Sequence, residues 1–189
     1  MVLTKLSLAD YLSLEDGLEA RCEFVDGEII EMPPESPQSN LISLFLLSQF
    51  LTAVPLHWLR RMDTELVVAG RVRVPDLMVL GEELAIALAA RNRSTITENM
   101  PPPLLVVEVV SPGKANEDRD YRYKRSEYAA RGIGEYWIID PANALVTVLT
   151  LVDGLYEAQA LRGDERLQSS QLPGLTLAVS QVLQPRARS

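Results

Sequence analysis

Cysteine and histidine are almost absent from this chain: Cys22 and His57 stand alone in 189 residues. A tetrahedral zinc site built of Cys and His is therefore excluded, and so is an internal disulfide. A Ser–His pair would have to run through His57, and no Gly-x-Ser-x-Gly turn exists to present the serine. A Gly-rich phosphate loop ending in Lys-Ser/Thr is missing as well. Long apolar runs are lacking: the longest greasy stretch, Leu41 to Val54, is broken by Ser43, Ser48, Gln49 and Thr52, so no segment is expected to span a bilayer. The N-terminus has no basic region followed by an apolar core and cleavage site. A soluble cytoplasmic protein is the default expectation.

What is present suits folding. Hydrophobic residues make up 47% of the chain, enough for a sizeable core in one domain spanning residues 1–189. With Cys and His removed from the chemistry, carboxylates, lysines and tyrosines remain, and a hard cation bound through oxygen is the natural cofactor. Net charge is −8, which argues against a simple nucleic-acid binder. The distribution matters more than the total. Residues 1–59 hold nine acids against two bases, and residues 60–131 hold eleven acids against twelve bases. The acidic surplus is expected to face away from any anionic substrate.

Leu6 to Leu14 has helical spacing, with Ser7 or Thr4 as its cap. Arg21 to Met32 reads as a hairpin turning at Asp26-Gly27. A proline-rich loop over Met32 to Pro37 precedes a helix from Asn40 to Val54 that is apolar on nearly every side. His57 and Trp58 follow; His57 reads as a boundary residue without a function. Strands are expected at Asp63 to Ala69 and Val74 to Leu80 around a turn at Gly70, then a short helix over Glu82 to Ala90. Arg91 to Pro103 reads as a linker. Leu104 to Val110 is almost purely aliphatic, as in a strand buried on both faces, and Ser111-Pro112-Gly113 stops it. A charged helix over Asp118 to Arg131 closes at Gly132 and Gly134. Glu135 to Asp140 is another buried strand. A second hairpin turns at Asp153-Gly154, and a short strand and final helix fill Leu167 to Val182. The tail from Gln184 reads as frayed. Together these predict an α/β fold: one mixed sheet with helices on its faces and hairpins near both ends.

Two carboxylates stand out. Asp76 follows Pro75 at the start of a strand, and Glu108 lies between Val107 and Val109. An ionised glutamate in such a strand is costly unless paired or metal-bound. A structural ion pair with an arginine and a cation site are equally good readings of Glu108. On the following helix, Asp120, Lys124 and Tyr128 are spaced by four and share a face. On spacing alone, a solvated Asp–Lys pair with Tyr128 half on the core is the better reading. It gives way only if the helix returns past the end of the Glu108 strand. Arg60, Arg61, Arg71, Arg73, Arg91 and Arg93 are candidates for phosphate contacts, although solvated surface charge explains most of them equally well.

These residues carry a resemblance. Pro75-Asp76 followed by Glu108, in an α-β-β-β-α-β order from Asn40 to Asp140, resembles the PD-(D/E)XK nuclease superfamily. EFVDGEIIEM, VPDLMVL, EVVSP, the D-x-x-x-K-x-x-x-Y helix from Asp120 to Tyr128 and EYWIID-P are similar, in that order, to the Uma-two family of bacterial endonucleases. The likeness runs over roughly residues 4–183. It implies a restriction-endonuclease-like fold, with its core at about residues 38–140. It further implies divalent-metal hydrolysis of DNA phosphodiesters and a homodimer. Asp76 and Glu108 would then bind Mg²⁺ or Mn²⁺, joined by the Val109 carbonyl. Lys124 would orient the water or stabilise the pentavalent phosphate. Glu23, matching the glutamate of the opening motif, would be a further acidic member, and Asp120 and Tyr128 would support the others.

Two departures stand beside the likeness. The superfamily's lysine usually lies two residues after the second carboxylate, where this chain has Val110. Many members of the family carry histidine at the start of the long apolar helix, where this chain has Gln38-Ser39-Asn40. A catalytically silent binding or assembly protein on the same fold is therefore the alternative. A metal phosphohydrolase acting on a small nucleotide is a third.

Overall fold

A computed structural model of the chain describes residues 5–14, 21–111 and 119–185. The expected stop at Pro112-Gly113, the Asp118 start of the charged helix, the Thr4 cap and the end of the tail lie outside them. Among the described residues no helix is long and apolar enough to cross a membrane.

The fold is mixed α/β. Helix α1 (Leu8–Leu12) begins at Ser7, whose hydroxyl accepts from the Asp10 N–H in a capping box. Strands β1 (Cys22–Val25) and β2 (Glu28–Glu31) form the first hairpin. It turns on Asp26 and Gly27, both at positive φ (52° and 91°), as a two-residue hairpin of this twist requires. Helix α2 runs Pro37–Phe50 with Ser36 as its cap. It starts three residues earlier than its apolar pattern suggests. Pro37 sits at the first helical position, where a missing N–H costs nothing, instead of ending the loop.

The strand expected from Val74 to Leu80 is shorter and begins only at Leu77, and a separate strand lies before it at Arg71–Arg73. Strand β3 (Leu59–Arg60) precedes β4 (Glu65–Val68), which turns into β5 (Arg71–Arg73); after a break at Val74 to Asp76 the chain resumes as β6 (Leu77–Val79). β5 and β6 belong to different sheets. Pro75 lacks the N–H that a continuous ladder needs, and its carbonyl accepts instead from Met62 N–H. Helix α3 (Glu82–Ala89) follows. The supposed linker after it contains a two-residue strand, β7 (Thr95–Ile96), parallel to β4.

Strand β8 (Leu105–Val109) is antiparallel to β6 and parallel to β9 (Glu135–Asp140). Between them lie a π-helical turn, Arg119–Lys124, and helix α4 (Arg125–Arg131), which Gly132 ends in the left-handed conformation at φ 80°. Strands β10 (Leu145–Val152) and β11 (Leu155–Leu161) make the second hairpin. A small pair, β12 (Arg166–Gln168) and β13 (Thr176–Ala178), leads to α5 (Val179–Leu183).

The central sheet is mixed, in the order β11-β10-β9-β8-β6-β3, and a second sheet runs β2-β1-β5-β4-β7. One face of the central sheet, with Leu77, Val107, Val109 and Trp137, is covered by Ile42, Leu46 and Phe50 of α2 and by Val179 and Val182 of α5. The other face presents Met78, Val106 and Ile138 to Tyr128 of α4, Leu84 of α3 and Leu66 of β4. α4 and the π-helical turn therefore lie between the two sheets, and any polar side chain they send inward must find its partner there.

Candidate active site

Asp76 and Glu108 meet at the end of the β6–β8 ladder. Its last pair is Leu77 with Val107. Continuing that register by one step sets Asp76 opposite Glu108, and directly opposed residues point to the same face. Asp76 closes the ladder with its side chain: Oδ2 accepts the Val109 N–H at 2.7 Å. An extended residue aims its N–H and C=O at the same edge, so the Val109 carbonyl also faces the Asp76 side. Burial, with the charges of Glu108 and Glu35, pushes the Asp76 carboxyl up to about 8, against the pull of the Val109 N–H and Lys124.

Lys124 settles the two readings of the helix in favour of a buried group. Its side chain is 1% exposed, and Nζ lies 2.9 Å from Glu108 Oε1, 3.5 Å from Glu23 Oε1 and 3.5 Å from Asp120 Oδ1. Burial works against its charge, but the three carboxylates outweigh it and keep Lys124 cationic well above the usual lysine range. The solvated Asp–Lys pair is thereby corrected. Tyr128 is fully buried instead of half on the core, and its hydroxyl donates to Glu108 Oε1 at 2.7 Å. Glu108 thus pairs with a lysine and a tyrosine, not with an arginine. Burial still raises its carboxyl above the ordinary value, opposed by Lys124. The π-helical turn is tied to β9 by two tyrosines: Tyr136 Oη donates to the Asp120 carbonyl at 3.1 Å, and Tyr121 Oη to Asp140 Oδ2 at 3.2 Å.

Behind Lys124 stands a second row of charge. Glu23 on β1 accepts from Arg73 Nη1 at 2.8 Å. Burial would raise the Glu23 carboxyl, but Lys124 and Arg73 overcome it and hold it at about 2. Arg73, 4% exposed, also grips Glu127 of α4 through Nε and Nη2, both at 2.8 Å. Arg71 bridges Glu127 and Asp26. Alternation along β1 and β5 produces this row: Phe24 and Val72 point outward to Tyr11, so Glu23, Arg71 and Arg73 point inward to α4. Arg71, Arg73 and Arg93 are thus committed to internal ion pairs, which corrects their reading as surface charge or phosphate contacts. Arg73 and Glu127 were not readable as site residues from sequence. Their available signals were the Arg-Val-Arg alternation and the position of Glu127 three residues after Lys124.

Asp76, Glu108, Val109 and Lys124 line a cleft of about 260 Å³, together with Arg21, Glu31, Glu35 and Arg119. The acidic N-terminal third therefore does not all face away, as its composition suggested. The first hairpin and the loop after it carry Glu31 and Glu35 to the cleft wall, where Arg21 Nη2 meets Glu35 at 2.5 Å. Val110 is buried in the apolar layer with Tyr128 and Ile138 and supplies no cation. His57 is bonded to Glu82 at 2.9 Å and stays outside the cleft.

The donor set fits a small hard cation. Among the described residues no basic side chain lies within ion-pair distance of Asp76, and burial raises the carboxyls of Asp76 and Glu108, so that ionising them calls for a compensating cation. Among the described residues no three Cys, His, Asp or Glu side chains gather into a cage. Two carboxylates and a carbonyl are what Mg²⁺ accepts when water and substrate oxygens complete its shell.

Comparison with known proteins agrees with this architecture. The model of the Uma2 family, described as "Putative restriction endonuclease", matches residues 8–180. A crystal structure from Anabaena variabilis ATCC 29413, titled a "putative nuclease belonging to DUF820", aligns with a TM-score of 0.69 at 18% identity, over 94% of this chain and 97% of that one. At that identity the likeness is one of fold, and the fold is restriction-endonuclease-like. No curated protein matches the chain. The chain belongs to the Uma2 family.

Proposed function

We propose that the chain is a divalent-cation-dependent nuclease that hydrolyses DNA phosphodiester bonds in the cleft between Asp76 and Glu108. The observation that carries this reading is the meeting of two buried carboxylates at a ladder end, with Lys124 2.9 Å from one of them and, among the described residues, no cation beside the other. Asp76, Glu108 and the Val109 carbonyl would hold Mg²⁺ or Mn²⁺. The bound ion would neutralise a phosphate oxygen and make its water more acidic.

The chain's own groups do the rest. Lys124 and Tyr128 hold Glu108 in one orientation through Oε1, and the Val109 N–H does the same for Asp76. Glu108, Glu23 and Asp120 keep Lys124 charged and fixed, and Arg73 anchors Glu23 in turn, so that the ammonium orients Glu108 and opposes its protonation. In the reaction a water oxygen bonds to phosphorus, one ester P–O bond breaks, and the leaving oxygen takes a proton. Preorganised charge of this kind needs no rearrangement as the reaction proceeds.

Calorimetric titration of Mn²⁺ into the wild type and Asp76→Ala, followed by cleavage assays on DNA, RNA and nucleotides, tests the reading. Stoichiometric binding that disappears in Asp76→Ala, with cleavage lost in both Asp76→Ala and Glu108→Ala, is expected. Cleavage persisting in both variants would sink it. One observation favours a silent site instead: Lys124 is matched by three carboxylates, and Val110 offers no second lysine. The silent reading predicts no metal binding. The homodimer implied by the family likeness is measured by sedimentation equilibrium.

A further inference from the structure

Lys124 has three N–H groups and three carboxylate oxygens within 3.5 Å, and its side chain is 1% exposed. Its charge is offset and its donors are taken. A phosphodiester entering the cleft brings a negative charge, and the pentavalent state formed from it brings more. A cation with a free donor must therefore come from another residue, and the cleft wall offers two arginines. Arg21 is held by Glu35. Arg119 differs. Its side chain is 25% exposed, and its only partner among the described residues is Asp120, through Nε to Oδ1 at 3.1 Å and Nη2 to Oδ2 at 3.4 Å. A guanidinium has further N–H bonds beyond the edge that this pair uses, and Nη1 has no partner among the described residues; Arg119 lines the cleft with Asp76, Glu108 and Lys124.

We propose that Arg119 is the phosphate-binding cation of this cleft, presenting the guanidinium N–H groups that Asp120 does not use to a non-bridging oxygen of the substrate phosphodiester. This rests on the nuclease reading above and assigns the part of that chemistry which Val110 cannot perform. Asp120 holds the Arg119 guanidinium on one side and meets the Lys124 ammonium on the other. One carboxylate thereby orders both cations along the π-helical turn. The charge of Arg119 reaches Glu108 and Glu23, so a phosphate held there lies within the field of the same carboxylates that would carry the metal.

The test uses dimethyl phosphate, the smallest phosphodiester, with the full-length protein. Arginine side-chain Nε–H resonances are followed by ¹⁵N NMR with and without Mg²⁺, while calorimetry records Mn²⁺ binding by the same samples. The resonance that disappears in Arg119→Lys identifies Arg119. It is expected to shift saturably with dimethyl phosphate. Loss of a charge-assisted fork should weaken binding at least about tenfold in Arg119→Ala. Arg119→Lys keeps a cation beside Asp120, preserving the fold should the alanine variant not fold, and is expected to weaken dimethyl phosphate severalfold while Mn²⁺ affinity stays at the wild-type level. An unmoved Arg119 resonance, or equal dimethyl phosphate affinity in wild type and Arg119→Lys, would overturn the proposal while leaving the nuclease reading intact. Absence of Mn²⁺ binding in the wild type would remove that reading, and this proposal with it.

Discussion

Replacing Asp76 by Asn should make the metal-free protein more stable, and increasingly so as the pH rises. Asp76 is buried without a basic partner among the described residues, and its carboxyl moves from the ordinary 3.8 to about 8 on folding. A folded carboxyl raised in this way contributes stability that is fully present below pH 4 and lost as the pH climbs to about 8. Over that window the loss approaches the order of 5 kcal/mol, at about 1.4 kcal/mol per pH unit for one proton. Asn carries no proton to lose, and its Oδ1 can still accept the Val109 N–H. The gap in unfolding free energy between Asp76→Asn and wild type, from urea denaturation in EDTA, should therefore widen from pH 5 to pH 7 and level off above pH 8. Saturating Mn²⁺ should narrow the gap by roughly half, because a ligand at a hundred times its Kd adds about 2.7 kcal/mol to a chain that binds it and nothing to one that does not. A gap that stays constant with pH, or Mn²⁺ stabilising both proteins equally, would refute the assignment of uncompensated charge to Asp76.

The rest of the charge network makes its own predictions. Arg73→Met leaves Glu23 and Glu127 buried with fewer partners and should cost about 3–5 kcal/mol in urea unfolding at pH 7. Glu23, held at about 2, behaves oppositely to Asp76: its contribution is complete above pH 4.5 and lost as the pH falls towards 2, so Glu23→Gln should flatten the acid limb of the stability curve by roughly 3 kcal/mol. Tyr128→Phe removes the donor 2.7 Å from Glu108 and should cost about 1–2 kcal/mol in chemical denaturation, together with a measurable drop in Mn²⁺ affinity by calorimetry.

The elements were legible where local chemistry decides them. Asp26-Gly27 and Asp153-Gly154 mark both hairpins because positive φ there suits few other residues. The aliphatic strands β8 and β9 follow from burial on two faces. Asp76 and Glu108 were legible as a pair because each is a carboxylate among residues that exclude water. The partner of each charge was not legible. Whether Lys124 meets water or Glu108 depends on α4 lying between two sheets, and the split of Arg71 to Val79 between those sheets has only Pro75 as its local sign. The π-helical turn changes the spacing of the helix that carries Asp120 and Lys124. Nothing in Arg-Asp-Tyr-Arg-Tyr-Lys announces an i to i+5 bond. The inward turn of Arg73 likewise follows from the register of β1 with β5, a long-range pairing.

The net charge of −8 looks unsuited to a polyanionic substrate, yet the cleft makes a different arrangement of charge. Steering by a broad basic face requires exposed lysines and arginines, and here Arg71, Arg73 and Arg93 are bound to carboxylates. The cations of the site instead form a line from Arg73 through Lys124 to Arg119, each residue fixed by a carboxylate that the next one shares or neighbours. Asp76 lies at the end of that line as the one site carboxylate without a basic partner among the described residues. A cation arriving there completes the alternation and turns the cleft from acidic to phosphate-accepting. On this reading, substrate affinity depends on the bound metal more than on the protein's overall charge. The buried network holds Lys124 and Arg119 in place for that moment, at the expense of the desolvation that every member of the network carries.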